Sequence, residues 1–376
     1  MFKMNLLRRI TSRLFARLMK SWSWVLLIML AILIKWASWY PLWVEENYTY
    51  GIYRYIALTQ RFLFGWVPFS IGDIFYAFLL LIIVYKTAQF IRALVRRRVT
   101  RSYLVAGLQQ IIFFFLLIYV LFNLLWGLNY NRRGVASQLQ MVVQPYSTGE
   151  LDSLVAVLQE RLNEYAAKTD EAQRKKLNKK KTLFSESAKA YQYASAKYPF
   201  LYYSIPSVKP SLFSYAGNYL GFQGYYNPFS GEAQVNTTIP SFLEPFVTAH
   251  EIAHQLGYGK ENEANFVAFL ACKEYPSDAF RYSLYFDMFN YAFSEAARRD
   301  TAKARRVSGQ LHPQVKRDIA AYRRFLQMHK NPVEQVVMWG YGHYLKANNQ
   351  PAGKNTYNEV VAWLIAYHKK FGKEAM

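Results

Sequence analysis

The stretch 249–265 reads AHEIAHQLGYGKENEAN, with two histidines four residues apart. Histidines at this spacing lie on one face of a helix, one turn from each other. Two imidazole nitrogens can then bind one Zn²⁺ at about 2.0–2.1 Å. Glu251, beside His250, can reach the water that the metal activates and act as general base. The alternative interpretation is a surface helix with two incidental histidines, His250 and His254.

A catalytic zinc site needs a third protein ligand and an open fourth position. Gly257 suits the end of the first helix, and Gly259 permits a sharp return into a second helix. We predict Glu261 as the third ligand. Glu263 is the rival, but it points about 160° away on the same helix, so both cannot bind. Asn265, one turn after Glu261, is predicted to hold the free ring nitrogen of a ligand histidine.

This pattern resembles that of the zincin metallopeptidases with a glutamate third ligand, in which H-E-x-x-H is followed by E-x-x-A-D or E-x-E-A-N. The resemblance implies Glu261 as ligand and Asn265 as its supporting residue, although the spacing to Glu261 is shorter than in the best-known glutamate zincins. The whole chain also resembles an uncharacterised bacterial family of integral membrane proteins, a domain of unknown function. It shares with that family the apolar N-terminal runs and residues 224–232 and 249–266. That resemblance implies a metalloprotease without a known substrate.

Three apolar runs occupy the first third of the chain, at about 22–40, 67–85 and 108–128. Each is close to the ~20 residues that cross a bilayer, so we predict three transmembrane helices. The two ends of the first run hold aromatic residues typical of an aromatic belt: Trp22, Trp24, Trp36, Trp39 and Tyr40. Asp73 lies near the start of the second run. It is either a functional intramembrane carboxylate or a wetted or capping residue.

Basic residues flank these runs unevenly. They are concentrated in 3–20 and 86–101, whereas the connection between the first two runs holds Arg54 and Arg61 with Glu45 and Glu46. The bias predicts a cytoplasmic N-terminus and an extracytoplasmic domain at 129–376, in the plasma (inner) membrane of a bacterium.

Partners follow from charge and composition. The net charge is +22, and about half of the excess lies in 1–128. The lipid bilayer is the expected partner, and nucleic acid is not, because no recognition motif for it is present. The run 174–181 is either a solvated surface or a contact with anionic lipid. Cys272, the single cysteine, excludes an intrachain disulfide and is predicted to be buried.

The outer domain, 129–376, is predicted to be mainly α (α+β) and zincin-like, with a small sheet. Residues 232–239 alternate with a period of two, as in a strand. This strand is either an edge strand that pairs with a peptide substrate or an ordinary interior strand. Apolar residues at helical spacing begin at Leu151. Helices are expected at about 245–256, 261–275, 278–300, 313–329, 332–348 and 356–370.

These observations predict a membrane-bound zinc-dependent metallohydrolase, a peptidase of the HExxH type that cleaves peptide bonds of peptide or protein substrates at the outer face of the membrane. Tyr341, His343 and Tyr357 are candidates for the group that stabilises the oxyanion. The alternative is a non-enzymatic membrane-anchored interaction module with a structural or vestigial zinc site. A hydrolase acting on a non-peptide bond is a third possibility. Neither substrate specificity nor oligomeric state follows from the sequence.

Overall fold

The structure, a computed structural model, describes residues 21–351, 353 and 359–376. Within these ranges the chain is mostly helical with one small sheet. The basic residues predicted to mark the cytoplasmic N-terminus, at 3–20, lie outside the described residues. So does Tyr357.

From residue 21 on, where the description begins, the N-terminal part consists of four helices. Two of them, α3 and α4, are long and apolar enough to cross a membrane, and α1 with α2 counts as a third candidate span if the bent pair is taken together. The helices α1 and α2 meet at 105°, after Ala37. Their bounds are α1 (Ser21–Ala37), α2 (Pro41–Phe64, π-helical over Val44–Tyr53), α3 (Ile71–Val95) and α4 (Arg101–Leu125).

The candidate spans differ from the predicted runs 67–85 and 108–128. The helix α3 continues to Val95 through part of the basic segment, and α4 already begins at Arg101. Ser70 and Thr100 fix these starts, because their side chains accept hydrogen bonds from backbone N–H groups of the first turn. Of the basic residues in 86–101, half therefore lie on these helices and half, Arg96, Arg97 and Arg98, lie in the connection between them.

The C-terminal part, called the outer part after its predicted location, contains twelve further helices among the described residues. Short 3₁₀ turns lie at Gly127–Asn131, Pro199–Leu201 and Lys373–Ala375. The helices are α5 (Val135–Gln138), α6 (Thr148–Lys168), α7 (Glu171–Leu177), α8 (Lys180–Lys197), α9 (Ser214–Leu220), α10 (Glu244–Gln255), α11 (Glu261–Glu274), α12 (Asp278–Arg299), α13 (Thr301–Gly309), α14 (Pro313–His329), α15 (Pro332–Ala347) and α16 (Val360–Phe371).

A three-stranded sheet lies between the helices, with the strand order β1-β3-β2. Its strands are β1 (Val208–Pro210), β2 (Gly224–Asn227) and β3 (Glu232–Val235). Since β3 pairs parallel with β1 and antiparallel with β2, it is the central strand. The prediction of an edge strand at 232–239 is therefore wrong, and the interior alternative describes β3. The edge beside the candidate site belongs to β2.

Two apolar clusters stabilise the molecule. The larger one lies in the outer part and includes Leu158, Phe266 and Phe286, from α6, α11 and α12. The smaller one joins the N-terminal helices to Trp126 and reaches Tyr226 of β2. The predicted division at 128/129 lies within the buried turn Gly127–Asn131, and Leu128 and Tyr130 on its two sides both belong to the smaller cluster.

The basic run 174–181 lies at the end of α7 and the start of α8. Arg174 pairs with Asp318 at 2.9 Å, and Lys180 pairs with the buried Glu244 at 2.6 Å. For these two residues neither a fully solvated surface nor a contact with lipid is correct, because both side chains brace the outer part. Cys272 is buried, as predicted.

A buried polar junction, formed by Ser70, Asp73, Tyr225, Glu232 and Gln234, fastens α3 to the sheet. The Glu232 carboxylate accepts hydrogen bonds at 2.7 Å, 3.2 Å, 2.9 Å and 3.3 Å, from the backbone N–H groups of Gly72 and Ile71 and the hydroxyls of Ser230 and Ser70. A carboxylate at a helix N-terminus also interacts favourably with the helix dipole. The polar face of β3 is thus buried against a candidate membrane span instead of facing water.

Asp73 belongs to the same junction. Its Oδ2 accepts hydrogen bonds from the backbone N–H of Leu212 at 2.7 Å and from the hydroxyl of Ser211 at 3.2 Å, and Tyr225 donates to Oδ1. The expectation of a wetted or capping Asp73 is wrong: the residue is fully buried, and Ser70 caps the helix. These contacts give Asp73 a structural role between α3 and the sheet.

Candidate metal centre

The helix α10 carries His250, Glu251 and His254. It ends at Gly257, which adopts φ +83°, a left-handed conformation that favours glycine. A Cβ at this position would also lie 2.9 Å from Oδ1 of Asn129. The chain then reverses within three residues and begins α11, which packs against α10.

Glu261, at the start of α11, lies next to both imidazoles. Its Oε2 is 3.2 Å from Nε2 of His250 and 3.6 Å from Nε2 of His254. All three residues are buried, and their ligand atoms lie within 4.8 Å of one another. In a tetrahedron with bonds of about 2.0–2.1 Å, ligand atoms are about 3.3–3.4 Å apart. The spacing to Glu261 therefore suits one ion of the size of Zn²⁺.

Hydrogen bonds from the outer nitrogens orient both imidazoles. Nδ1 of His254 lies 2.7 Å from the carbonyl oxygen of Tyr258, and Nδ1 of His250 lies 2.8 Å from Oδ1 of Asn265. Because a carbonyl oxygen only accepts, Nδ1 of His254 carries the proton. With that proton on Nδ1, loss of the Nε2 proton would make the Nε2 lone pair available to a metal.

Electrostatics within this cluster favour an ionised Glu261. Burial opposes ionisation, but the two imidazoles hold the pKa of Glu261 well below its usual range. Burial also disfavours a charged His254. The attraction of the Glu261 carboxylate is stronger than this effect and raises the pKa of His254 to about 9. The hydroxyl of Tyr341 donates to Oε1 of Glu261 at 2.7 Å, which leaves Oε2 directed at the imidazoles.

Glu263 points elsewhere. Its side chain is buried beside Gly134, where φ is +80° and a Cβ would collide with the carboxylate. Nζ of Lys260 lies 3.7 Å from Oε1 of Glu263, and burial raises the pKa of this carboxyl. The structure thus brings Glu261, and not its rival, to the two histidines.

Glu251 lies beside the three-residue cluster and lines the same cavity. Its Oε2 is buried and has no hydrogen-bond partner. Burial raises the pKa of Glu251 to about 7. Gly224 of β2 packs directly on this carboxylate, since a Cβ there would lie 2.5 Å from Oε1. A glycine in the edge strand therefore allows backbone to approach the candidate general base closely.

Two residues of the N-terminal part hold the end of α10. Trp126 Nε1 donates to the carbonyl oxygen of His254 at 2.9 Å. The hydroxyl of Tyr53 donates to the carbonyl oxygen of Gln255 at 2.8 Å. These carbonyls are among the last four of a helix, which lack partners within it. Trp126, at the end of the third predicted run, is buried.

The candidates for oxyanion stabilisation separate in the structure. Tyr341 lines the cavity and contacts Glu261. His343 is exposed, and its ring nitrogen faces the carbonyl oxygen of Trp339. Sequence reasoning missed Asp287 and Tyr291, which also line the cavity. The one signal for them in the sequence was their spacing of four residues, which places both side chains on the same face of α12.

The cavity has a volume of about 940 Å³. One side carries the cluster and polar residues of α12, and another carries Gly224 of β2. The remaining wall comes from the candidate membrane spans and consists of aromatic and aliphatic side chains: Tyr76, Phe115, Ile118, Tyr119, Phe122 and Trp126.

Fold and site together define a mostly helical protein with candidate membrane spans and a buried His-His-Glu cluster. Residues 48–365 match the model of the family described as "Protein of unknown function (DUF3810)", and the chain belongs to this family. No curated protein and no solved structure matches the chain.

Proposed function

We propose that the protein is a membrane-bound zinc peptidase with His250, His254 and Glu261 as metal ligands. The observation that carries the proposal is the convergence of these three buried side chains beside Glu251, a carboxylate with an unpartnered oxygen. Two imidazoles and one carboxylate form a donor set typical of catalytic zinc, with a fourth position left for water or substrate. The zincin resemblance noted in the sequence points the same way.

A bound Zn²⁺ would polarise the scissile carbonyl and lower the pKa of the attacking water. Glu251 takes a proton from this water as the oxygen attacks the carbonyl carbon. The C–N bond then breaks, and Glu251 delivers that proton to the leaving amine, which gives a carboxylate and an amine as products. Asn265 and the Tyr258 carbonyl keep the imidazoles oriented, and Tyr341 holds Glu261.

A peptide bond is the favoured target because β2 lies beside Glu251 and, among the described strands, pairs only with β3. An extended peptide can add to such a free edge through main-chain hydrogen bonds. Gly224 gives the peptide backbone access to the carboxylate. This arrangement offers less to a compact non-peptide substrate.

The basic flanks support an extracytoplasmic site. A reporter fused after residue 135 should be active outside the cytoplasm, and one fused at residue 95 should be active inside. The opposite pattern would reverse the proposed orientation and leave the chemistry of the site unchanged.

The competing function is an interaction module with a structural zinc site. Structural zinc is normally closed by four protein ligands and does not need a general base. Among the described residues the cluster has three members, and Glu251 stands beside it. Both features favour hydrolysis.

The decisive experiment compares wild type with Glu251→Gln. Purified wild type and variant should both contain about one Zn²⁺ per chain, because the variant keeps the three protein ligands that a catalytic zinc site needs. Cleavage of membrane-associated substrates, found by comparing the two proteomes, should fall by about 10²–10⁴-fold in the variant, the range for loss of a general base. Zinc in both proteins with identical proteomes would favour the interaction module.

A further inference from the structure

We propose that the substrate is a lipid-anchored peptide, and that its acyl chain lies in an apolar groove of α4 which runs from the metal cluster towards the bilayer. This inference rests on the proposed function, because it names the substrate class of the same site. It starts from one feature: a wall of the site cavity is a candidate membrane span.

The groove is formed by Phe115, Ile118, Tyr119 and Phe122. Their spacing of three, one and three residues places them on one face of α4. All four line the cavity of about 940 Å³ that also contains His250 and Glu251. The apolar face and the catalytic groups thus share one continuous space.

The groove reaches the depth of the hydrocarbon core. The helix α4 has a mean hydropathy of 2.4 and ends at Leu125. Phe115 lies ten residues before that end, about 15 Å along the axis at 1.5 Å per residue. The hydrocarbon core is about 30 Å thick, so Phe115 lies near its middle. Phe115 and Tyr119 are 66% and 40% exposed, which leaves this wall open to lipid.

The size of the cavity favours a single hydrocarbon chain over a transmembrane helix. A helix with side chains is about 10–12 Å wide, and one that spans the core occupies roughly 2,400–3,400 Å³. The cavity, at about 940 Å³, cannot enclose such a helix together with an extended segment at the cluster. An acyl chain along α4 leaves the cluster end of the cavity for the peptide.

Other parts of the cavity lining are suited to the peptide part. Asn290 and Ser294 of α12 and the free edge of β2 line the same cavity and offer polar side chains and main-chain groups. A substrate with an apolar tail and a polar extended chain matches these two sides. A diacyl phospholipid has acyl chains for the apolar groove, but it has no main chain that could pair with β2.

The test uses the full chain with Glu251→Gln, which on the proposed function stops turnover, in phosphatidylcholine nanodiscs. The probe is a synthetic peptide with an N-terminal palmitoyl chain that carries a diazirine near its end. After irradiation, mass spectrometry should place the label on the groove residues of α4. Excess unlabelled palmitoyl-peptide should remove the label, whereas the same peptide without the palmitoyl chain should not.

Matched variants define the groove. Ile118→Trp fills the groove with a larger side chain. Labelling should fall by about ten-fold, which corresponds to the free-energy cost of moderate overpacking. The control is Leu121→Trp: Leu121 lies on the same helix, is 37% exposed and is absent from the cavity lining, so labelling should persist. Melting temperatures of both variants verify that they fold.

Three results would overturn the proposal. In the first, the label spreads evenly over the lipid-facing residues of α3 and α4. In the second, a diazirine phosphatidylcholine labels the groove as strongly as the palmitoyl-peptide does. In the third, a transmembrane helical peptide competes and the palmitoyl-peptide does not. Labelling requires no turnover, so it distinguishes failure of the groove from failure of the zinc peptidase, which the zinc content and the proteome comparison report.

Discussion

The polar junction and the metal cluster both bury carboxylates, but they treat them differently. In the junction, Glu232 and Asp73 receive hydrogen bonds from backbone N–H groups and hydroxyls. In the cluster, Oε2 of Glu261 faces two imidazoles, and Oε2 of Glu251 has no hydrogen-bond partner. The fold supplies donors to the carboxylates of the junction, whereas it leaves Oε2 of Glu251 in the cluster without one.

Burying a polar group is costly unless it is hydrogen-bonded. The junction meets this cost within the fold, which identifies its carboxylates as structural. In the cluster this cost is not met within the fold for Oε2 of Glu251, which supports the functional role proposed for that carboxylate. Burial alone therefore does not distinguish the carboxylates of the two regions.

The largest effect should follow Glu261→Ala. Loss of one of three ligands should weaken zinc binding by more than the roughly 100-fold upper range for a supporting residue. Its matched control is Glu263→Ala, two positions away on the same helix, which should keep zinc and change stability. Zinc affinity is measured by competition with a chelator. If Glu263→Ala strips the metal and Glu261→Ala retains it, the assignment of the cluster is wrong.

Asn265→Ala should have a smaller effect on the same quantity. The variant frees Nδ1 of His250 without removing a ligand. Zinc affinity should fall by about 10–100-fold. Asn265→Asp serves as a control, because it keeps an acceptor at this position. Equal losses in both variants would contradict an orienting role.

Glu232→Ala tests the polar junction instead of the metal cluster. It leaves the N–H groups of Ile71 and Gly72 unpaired in a buried place. The free energy of unfolding in detergent should fall by about 1–3 kcal/mol. Zinc affinity of the folded protein should not change, and a large loss of zinc would show that the two regions are coupled.

Ser70→Ala should have the smallest effect. It removes the cap of α3 and two contacts of the junction, with Gln234 and Glu232. Loss of a helix cap costs about 0.5–2 kcal/mol. Thr100→Ala, at the cap of α4 but outside the junction, provides the comparison. A smaller loss for Ser70→Ala than for Thr100→Ala would remove the argument that the junction adds stability.

The elements with strong local signals could be predicted from the sequence. Proline starts and a 3.6-residue period predicted α14 and α15 to within one residue of their observed bounds. The glycine turn at 257–259 and the helical stripe of α11 placed Glu261 towards the histidines and Glu263 away from them. These inferences needed only neighbours within about fifteen residues.

What could not be predicted depends on long-range contacts. The strand β3 ends at Val235 although the alternation continues to residue 239, and Asn236 instead bonds to Asn218 and to the backbone of Phe222. Asp73 looked like a residue at the water interface because its partners at 211–212 are distant in sequence. The contact of Trp126 with His254 joins residues 128 positions apart. No local pattern distinguishes such a tryptophan from a membrane-interface residue.

Gly72 has a consequence for how the protein would choose its substrates. A Cβ at this position would collide with the side chains of Asn227 and Gln234, so the first turn of α3 sits directly on the sheet. The outer part cannot tilt or rise on α3 without opening this contact. On the proposed function, Glu251 would thus be held at a fixed distance from the candidate membrane span α3. Such a hydrolase would select a bond by its distance from the membrane anchor before it contacts any side chain.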